Sequence, residues 1–368
     1  MDRVCRWGIL GTAGIARKNW KAIKLSGNSR VAAVASRRAG AAEQFIDECS
    51  SQVPVTDRPA AVSSYEALLG RDDIDAVYIP LPTALRHEWV IRAAEAGKHV
   101  IGEKPAALNA SQVREMLQAC QEHQVQYMDG VMFMHSGRMP IVRQLLDDGD
   151  SLGQLRRLYG QFSFAGDEEF GRANIRTDSR LEPHGCLGDL GWYLIRYFLW
   201  VMNGQLPTHV QGRSLSQLQG NESPHPVPGE FAADLYFDNG VSAGFYCSFR
   251  TENQQWIHAS GSRGNLRIHD FVLPYHGSSI EAFVTQDAFV IDNCEFHMEH
   301  HETRHAIRER DAGAASAQEV CMIRNFANQV LSNHIDRTWP DWTLKTQVVL
   351  DACFQSAADD GAAVTVQL

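Results

Sequence analysis

Between residue 4 and about residue 130 the chain alternates two apolar patterns. Short runs at Arg6–Leu10, Val31–Ala35, Ala76–Pro80 and His99–Gly102 are continuously apolar and rich in β-branched residues, as strands covered on both faces are. Between them, helical spacing predicts helices near Ile15–Leu25, Ala39–Cys49, Tyr65–Leu69, His87–Ala96 and Ser111–His123. Ser63 with Glu66 fits a capping box, and Gly97 stands where a helix-ending glycine belongs. This alternation predicts a parallel sheet with helices on both sides.

After about residue 150 the period changes to two. Alternating stretches at Gln154–Phe164, Glu230–Phe237, Val241–Phe249, Trp256–Ser260, Asn265–His269 and Ile280–Val284 predict an antiparallel sheet with one covered face. Asp238-Asn239-Gly240 is a hairpin signal between two of them. Helices are predicted near Gly188–Met202, Gln318–Ser332 and Leu344–Ala358, the last before a short strand at Ala363–Gln367. The loop Gly220–Gly229, rich in proline and polar residues, reads as exposed. The fold class is therefore α/β: a Rossmann dinucleotide-binding domain over 1–130, then a domain over 131–368 with an open, mainly antiparallel sheet. The last helix is a candidate to pack on the first domain.

Composition narrows the function classes. A net charge of −10 without a long basic run disfavours nucleic acid and anionic membranes as partners. Eight scattered cysteines without a C-x-x-C pair suit a reducing compartment. No signal-peptide pattern is visible and no apolar run reaches the length of a membrane span, so a cytoplasmic protein is expected.

Two segments carry the candidate chemistry. Gly8-Ile9-Leu10-Gly11-Thr12-Ala13-Gly14-Ile15-Ala16 has the layout of a strand passing through a glycine turn into a helix, which can hold a pyrophosphate. Ala13 and Ala16 stand where further glycines are usual. The second predicted strand ends in Ser36-Arg37-Arg38, where an NAD site usually carries a carboxylate. An arginine there can clamp a 2′-phosphate, which favours NADP(H) over NAD(H). Glu103-Lys104-Pro105 ends another strand on the carboxyl edge of the sheet, where a lysine can stabilise a developing alkoxide. Asp189 and Tyr193 lie four apart on one face of a predicted helix, and a phenol can exchange a proton with a substrate hydroxyl.

These motifs, with Pro80-Leu81-Pro82-Thr83-Ala84-Leu85-Arg86-His87, Asn174-Ile175-Arg176 and the run from Gly185 to Tyr193, make the chain resemble the glucose–fructose oxidoreductase and inositol dehydrogenase (Gfo/Idh/MocA) family. Tyr193, rather than histidine, and the Ala-Ser-Arg after the second strand are closer to its xylose dehydrogenase and dimeric dihydrodiol dehydrogenase members. The resemblance implies Lys104, Asp189 and Tyr193 as catalytic residues. It implies Gly11, Thr12, Ala13, Gly14, Ile15, Ser36, Arg37, Arg38, Leu81, Pro82, Thr83, His87, Glu103 and Lys104 around the cofactor. Asn174 and Arg176 would join Lys104, Asp189 and Tyr193 around a sugar or cyclic polyol, with hydride passing between a nicotinamide and a hydroxyl or carbonyl carbon. A homo-oligomer, dimer or tetramer, is implied as well. Alternatives are a nicotinamide-dependent glycosidase of the same family and a non-catalytic NADP-binding regulator. The stretch Asp129–His135, and Cys186 and Gly188, depart from the family's pattern, which leaves the substrate open. His184 reads as a loop histidine.

His301-Glu302-Thr303-Arg304-His305 matches H-E-x-x-H, a zinc motif when it lies on a helix. Its surroundings are strand-like and no third ligand follows, so no metal site is expected.

Overall fold

The computed structural model describes residues 3–368. The chain forms two compact units: Met1–His135, Arg180–Glu182 and Ala312–Gln347 in the first, and Ser136–Ser179, Pro183–Asp311 and Val348–Leu368 in the second. Among the described residues no helix is long and apolar enough to cross a membrane.

The first unit is built on six parallel strands: β1 (Cys5–Leu10), β2 (Ser29–Ala35), β3 (Ala60–Val62), β4 (Ala76–Ile79), β5 (His99–Gly102) and β6 (Tyr127–Asp129). Their order is β3-β2-β1-β4-β5-β6. The order reverses between β1 and β4, and such a reversal opens a crevice at the carboxyl ends of the strands. Helices α1 (Gly14–Leu25), α2 (Ala41–Gln52), α3 (Tyr65–Leu69), α4 (Thr83–Glu95) and α5 (Ala110–Glu122) alternate with them. All four residues of β4 are buried, as expected of a strand covered on both sides.

In the second unit a nine-stranded sheet has the order β16-β13-β12-β11-β7-β10-β9-β8-β17. The strands are β7 (Leu155–Ser163), β8 (His209–Leu218), β9 (Val227–Tyr236), β10 (Ser242–Ser248), β11 (Gln254–Gly261), β12 (Asn265–Ile268), β13 (Ile280–Thr285), β16 (Glu302–Ile307) and β17 (Val364–Thr365). Only β7 and β10 run parallel as neighbours. Three helices, α6 (Arg138–Asp147), α7 (Glu168–Ala173) and α8 (Trp192–Val201), accompany the sheet. Nine of the ten residues of α8 are buried, Arg196 among them, so the helix lies in the core. Gly160 of β7 lets it approach: a Cβ there would lie 2.7 Å from Leu194 Cδ2. A separate hairpin, β14 (Ala288–Asp292) with β15 (Glu295–Glu299), exposes Phe289, Ile291, Phe296 and Met298.

The loop Gly220–Gly229 is exposed as expected at Asn221, Glu222, Pro224, His225 and Pro226, but Val227, Pro228 and Gly229 are buried as the opening of β9, where Val227 and Pro228 pair with Leu218 and Gln217 of β8. The helix predicted at Gln318–Ser332 forms as α9 but packs in the first unit. Its Val320, Ile323, Phe326 and Ala327 join Trp7, Ile9, Trp20 and Phe45 in one apolar cluster, with the rings of Trp7 and Phe326 5.4 Å apart. After it, α10 (Thr338–Ala358) begins in the first unit and ends in the second.

Candidate active site

The glycine turn has the backbone a phosphate cradle needs. Gly11 has φ +110°, a region that favours glycine, and a Cβ on it would lie 3.2 Å from Leu81 Cδ2 and 3.5 Å from Tyr65 Oη. Its N–H is tied to Ala35 O at 2.8 Å, which joins the turn to the end of β2. Ala13 is extended and precedes α1, whose N-terminus has no side-chain cap. Gly14 opens the helix and Ile15 is partly exposed in its first turn; a helix N-terminus so arranged suits an anion. Thr12 is half-buried in the same turn.

At the end of β2, Ser36 is buried and its Oγ accepts from Arg38 N at 3.2 Å. The Arg37 guanidinium lies over the Tyr65 ring at 5.4 Å. Tyr65 also flanks Gly11, so Arg37, Tyr65, Gly11 and Leu81 gather at the carboxyl edge. Arg38 is exposed.

The Glu103-Lys104-Pro105 turn follows β5, with a cis Lys104–Pro105 peptide. Glu103 is buried; its carboxylate accepts from Tyr78 Oη at 2.5 Å and from Lys104 N at 3.3 Å. A Cβ at Gly130 would lie 3.1 Å from Glu103 Oε1, so glycine there makes room for the carboxylate. Lys104 is half-buried.

The loop ahead of α4 is organised by residues that sequence reasoning passed over. Thr83 is fully buried, and its N–H and hydroxyl both go to the Glu182 carboxylate, the first at 2.9 Å. Arg86, 2% exposed, donates to Leu81 O, Thr83 Oγ1 and Pro105 O. Burial pulls the Arg86 guanidinium below its ordinary pKa, against the opposing pull of Glu182 and Glu103. Pro82 precedes α4 as its N-cap residue. His87 is half-buried on α4, with Nε2 2.8 Å from Glu115 Oε2.

In the second unit, Asn174 caps a 3-10 turn over Ile175–Thr177, its side chain accepting from Arg176 N at 3.1 Å. Arg176 Nε donates to Asp189 Oδ2 at 2.7 Å, an ion pair whose carboxylate is the better covered partner. Asp189 lies in a π-type turn, Leu187–Gly191, that leads into α8. Tyr193 follows in the first turn of α8, buried, its ring edge-on to Phe162 at 5.7 Å. The predicted helix Gly188–Met202 therefore opens with wider winding around Asp189. Gly185 has φ +47°, and a Cβ there would lie 2.3 Å from Pro228 O, so glycine is required where the chain enters this turn.

His184, read from sequence as a loop histidine, is 5% exposed and packs edge-on to Phe354 at 4.9 Å. Burial pushes its pKa down to about 4. Cys186 is buried with its Sγ 3.9 Å from Cys247 Sγ.

The H-E-x-x-H residues lie on extended backbone. His301 directly precedes β16, His305 lies within it opposite Ala282, and both Glu302 and His301 are exposed. Four residues of extended chain span about 13 Å, against about 6 Å for the same step on a helix, so the two imidazoles stand too far apart to ligate one metal ion. His301 Nε2 instead lies 3.3 Å from Glu299 Oε2.

With this geometry in hand, likeness to known proteins is informative. Residues 5–131 match the oxidoreductase family model with an NAD-binding Rossmann fold, and residues 141–267 match the GFO/IDH/MocA C-terminal domain. The dTDP-3,4-didehydro-2,6-dideoxy-alpha-D-glucose 3-reductase of Saccharopolyspora spinosa is 33% identical over 73% of this chain and 75% of its own. D-xylose 1-dehydrogenase (NADP(+)) 2 of Haloferax volcanii is 31% identical over 72% of this chain and 75% of its own. The crystal structure of the 3-ketoreductase KijD10 from Actinomadura kijaniata, in complex with NADP and TDP-benzene, superposes with a TM-score of 0.79 at 26% identity, covering 96% of this chain and 98% of that one. Matched in both of its units, the chain is an oxidoreductase and belongs to the Gfo/Idh/MocA family.

Proposed function

We propose that the protein is an NADP(H)-dependent oxidoreductase of a sugar-like substrate, acting at a hydroxyl or carbonyl carbon. The residues present fit the cofactor: a Cβ at Gly11 would fill the cradle, and the N-terminus of α1 is uncapped. Thr12 to Ile15 would hold its pyrophosphate, and Ser36, Arg37 and Arg38 its ribose 2′-phosphate. Leu81, Pro82 and the Glu103-Lys104 turn would line the reactive end. A bound nicotinamide dinucleotide supplies the hydride carrier. Thr83 and His87 would complete the cofactor's surroundings, Thr83 held by Glu182 and His87 beside Glu115.

Tyr193 takes or returns the proton of the substrate oxygen at its Oη. The Lys104 ammonium would stabilise charge on the substrate oxygen. Asp189 orients the pair, and Arg176 holds its carboxylate in register. Asn174 fixes the backbone from which Arg176 projects.

The observation that carries this reading is the Arg176–Asp189 ion pair at 2.7 Å on the turn that leads directly into Tyr193. The names of the relatives support a sugar, free or carried on a nucleotide, and NADP. The oligomer that family membership suggests would be a dimer or tetramer.

The test is a 340 nm screen of aldoses, cyclic polyols, dihydrodiols and keto sugars with both cofactors, on the parent and on Tyr193→Phe. Turnover of at least one sugar or polyol by the parent, sharply reduced in Tyr193→Phe, is expected. Binding of NADPH with no turnover of any compound would turn the reading to a regulator. Turnover of glycosides without net cofactor change would turn it to a glycosidase.

A further inference from the structure

Residues Arg180–Glu182 belong to the first unit, although the chain up to Ser179 and from Pro183 belongs to the second. A set of part-buried bonds accounts for this three-residue excursion. Leu181 O accepts from Ala84 N at 3.2 Å and Glu182 Oε1 from Thr83 N at 2.9 Å. These are the first two N–H groups of α4, which have no partner within the helix, and Pro82 gives them no side-chain cap. A carboxylate at this end is also favoured by the helix dipole.

The second carboxylate oxygen takes the Thr83 hydroxyl. Arg86 fixes the direction of that bond. A guanidinium only donates, so Thr83 Oγ1 accepts from Arg86 and must turn its own proton to Glu182. Arg86 also binds Leu81 O and Pro105 O. One network thus joins the loop ahead of α4, the residue after Lys104, and the segment that runs into the turn bearing Asp189. Only Pro183 separates Glu182 from His184, whose carbonyl accepts from Gly188 N at 3.2 Å within that turn.

We propose that Glu182 is a positioning residue: through Thr83 and Arg86 it anchors the end of the chain from which Pro183–Tyr193 continues, and so limits the fluctuations of the turn that carries Asp189 and Tyr193 during turnover. The effect on rate rests on the function proposed above; the effect on the chain itself does not. Glu182 touches no reacting atom in this scheme. It acts on the order of the turn, so its loss lowers kcat more than it weakens cofactor binding.

Two measurements on Glu182→Ala in the full chain test this. Hydrogen exchange over 183–193 should quicken by about tenfold to a hundredfold, the scale of a lost charge-assisted pair, while exchange over 5–25 stays within about twofold of the parent. The kcat should fall by a comparable factor, with NADPH affinity by fluorescence titration within about threefold and the pH profile unmoved. Glu182→Gln, which keeps an acceptor for Thr83 N, should recover part of both effects. Unchanged exchange over 183–193 would overturn the proposal, and so would a loss of NADPH affinity equal to the loss of kcat. If exchange quickens but the parent turns over nothing in the substrate screen, the pinning stands and the proposed reaction falls. Should Glu182→Ala fail to fold, Thr83→Val keeps the N–H bond and loses the hydroxyl. Exchange over 183–193 unaltered in that variant would equally overturn the proposal, and Thr83→Ser should restore parent behaviour.

Discussion

Glu103-Lys104-Pro105 and His301–His305 are both short motifs with catalytic precedent, and the fold treats them in opposite ways. The first follows a central parallel strand at the carboxyl edge, with Glu103 buried against Tyr78 and Pro105 O bound by the buried Arg86. The second lies along an outermost strand of the nine-stranded sheet, where His301 and Glu302 are exposed. A motif gains chemical meaning when the backbone under it has the period the chemistry needs and its neighbours are fixed by burial. H-E-x-x-H requires helical spacing and is laid out on a strand; the lysine turn has both a strand end beneath it and partners around it.

The largest effect that sharpens this contrast is expected at Lys104. Lys104→Met should lower turnover by roughly 10²–10⁴, the range of one electrostatic or acid–base group, with NADPH affinity within a few-fold. Steady-state kinetics with fluorescence titration check this, and near-parent turnover would place the lysine turn in the same idle class as the histidines.

Next is Arg37, stacked on Tyr65 beside the glycine turn. Arg37→Asp should shift the ratio of NADP to NAD affinities by about ten- to a hundredfold toward NAD, the scale of a lost charge-assisted bond. Equal affinities for both cofactors in the parent would contradict the assignment.

His184 then tests the effect of burial. His184 is held near pKa 4 by burial, whereas an unfolded chain protonates histidine near pH 6.5. The unfolded state therefore binds the extra proton first as pH falls. The stability that neutral His184 permits is complete above about pH 6.5 and is lost progressively toward pH 4. Between pH 7 and 5 the parent should lose about 2 kcal/mol more than His184→Leu, read from urea midpoints. The same loss in both proteins would refute a buried neutral imidazole.

The smallest effect is expected at the exposed motif. His301→Ala/His305→Ala should change stability by less than about 0.5 kcal/mol and leave turnover intact with or without EDTA. Stoichiometric zinc lost together with activity would erase the contrast.

Sequence legibility followed the same division. Strands β1, β2, β4 and β5 were readable because burial on both faces demands continuous apolar runs, and β1 carries Trp7, Ile9 and Leu10 in succession with Gly8. Strand β8 was not, because between Val210 and Leu218 its inward positions are Gly212, Ser214 and Ser216, while Leu215 points outward at 54% exposure. The glycine turn, the lysine turn and the Asp189–Tyr193 pair were readable because each occupies adjacent or nearby positions. Glu182 and Thr83 are not legible as a pair: they are 99 residues apart, and a bond between distant polar groups leaves no local period. Arg86 stands just ahead of the helix expected at His87–Ala96, and only tertiary packing decides that it is buried.

The packing of α9 on Trp7 has a consequence in time. Trp7, Ile9 and Trp20 leave the ribosome early, but Val320, Ile323 and Phe326, which complete their cluster, are made some 300 residues later. At roughly 5–20 residues per second, that is an interval of about 15–60 s. Through it the nascent Rossmann sheet carries an uncovered apolar side, a surface for chaperones or for aggregation. The dinucleotide-binding unit, though it begins the chain, is among the last parts of the protein to be finished.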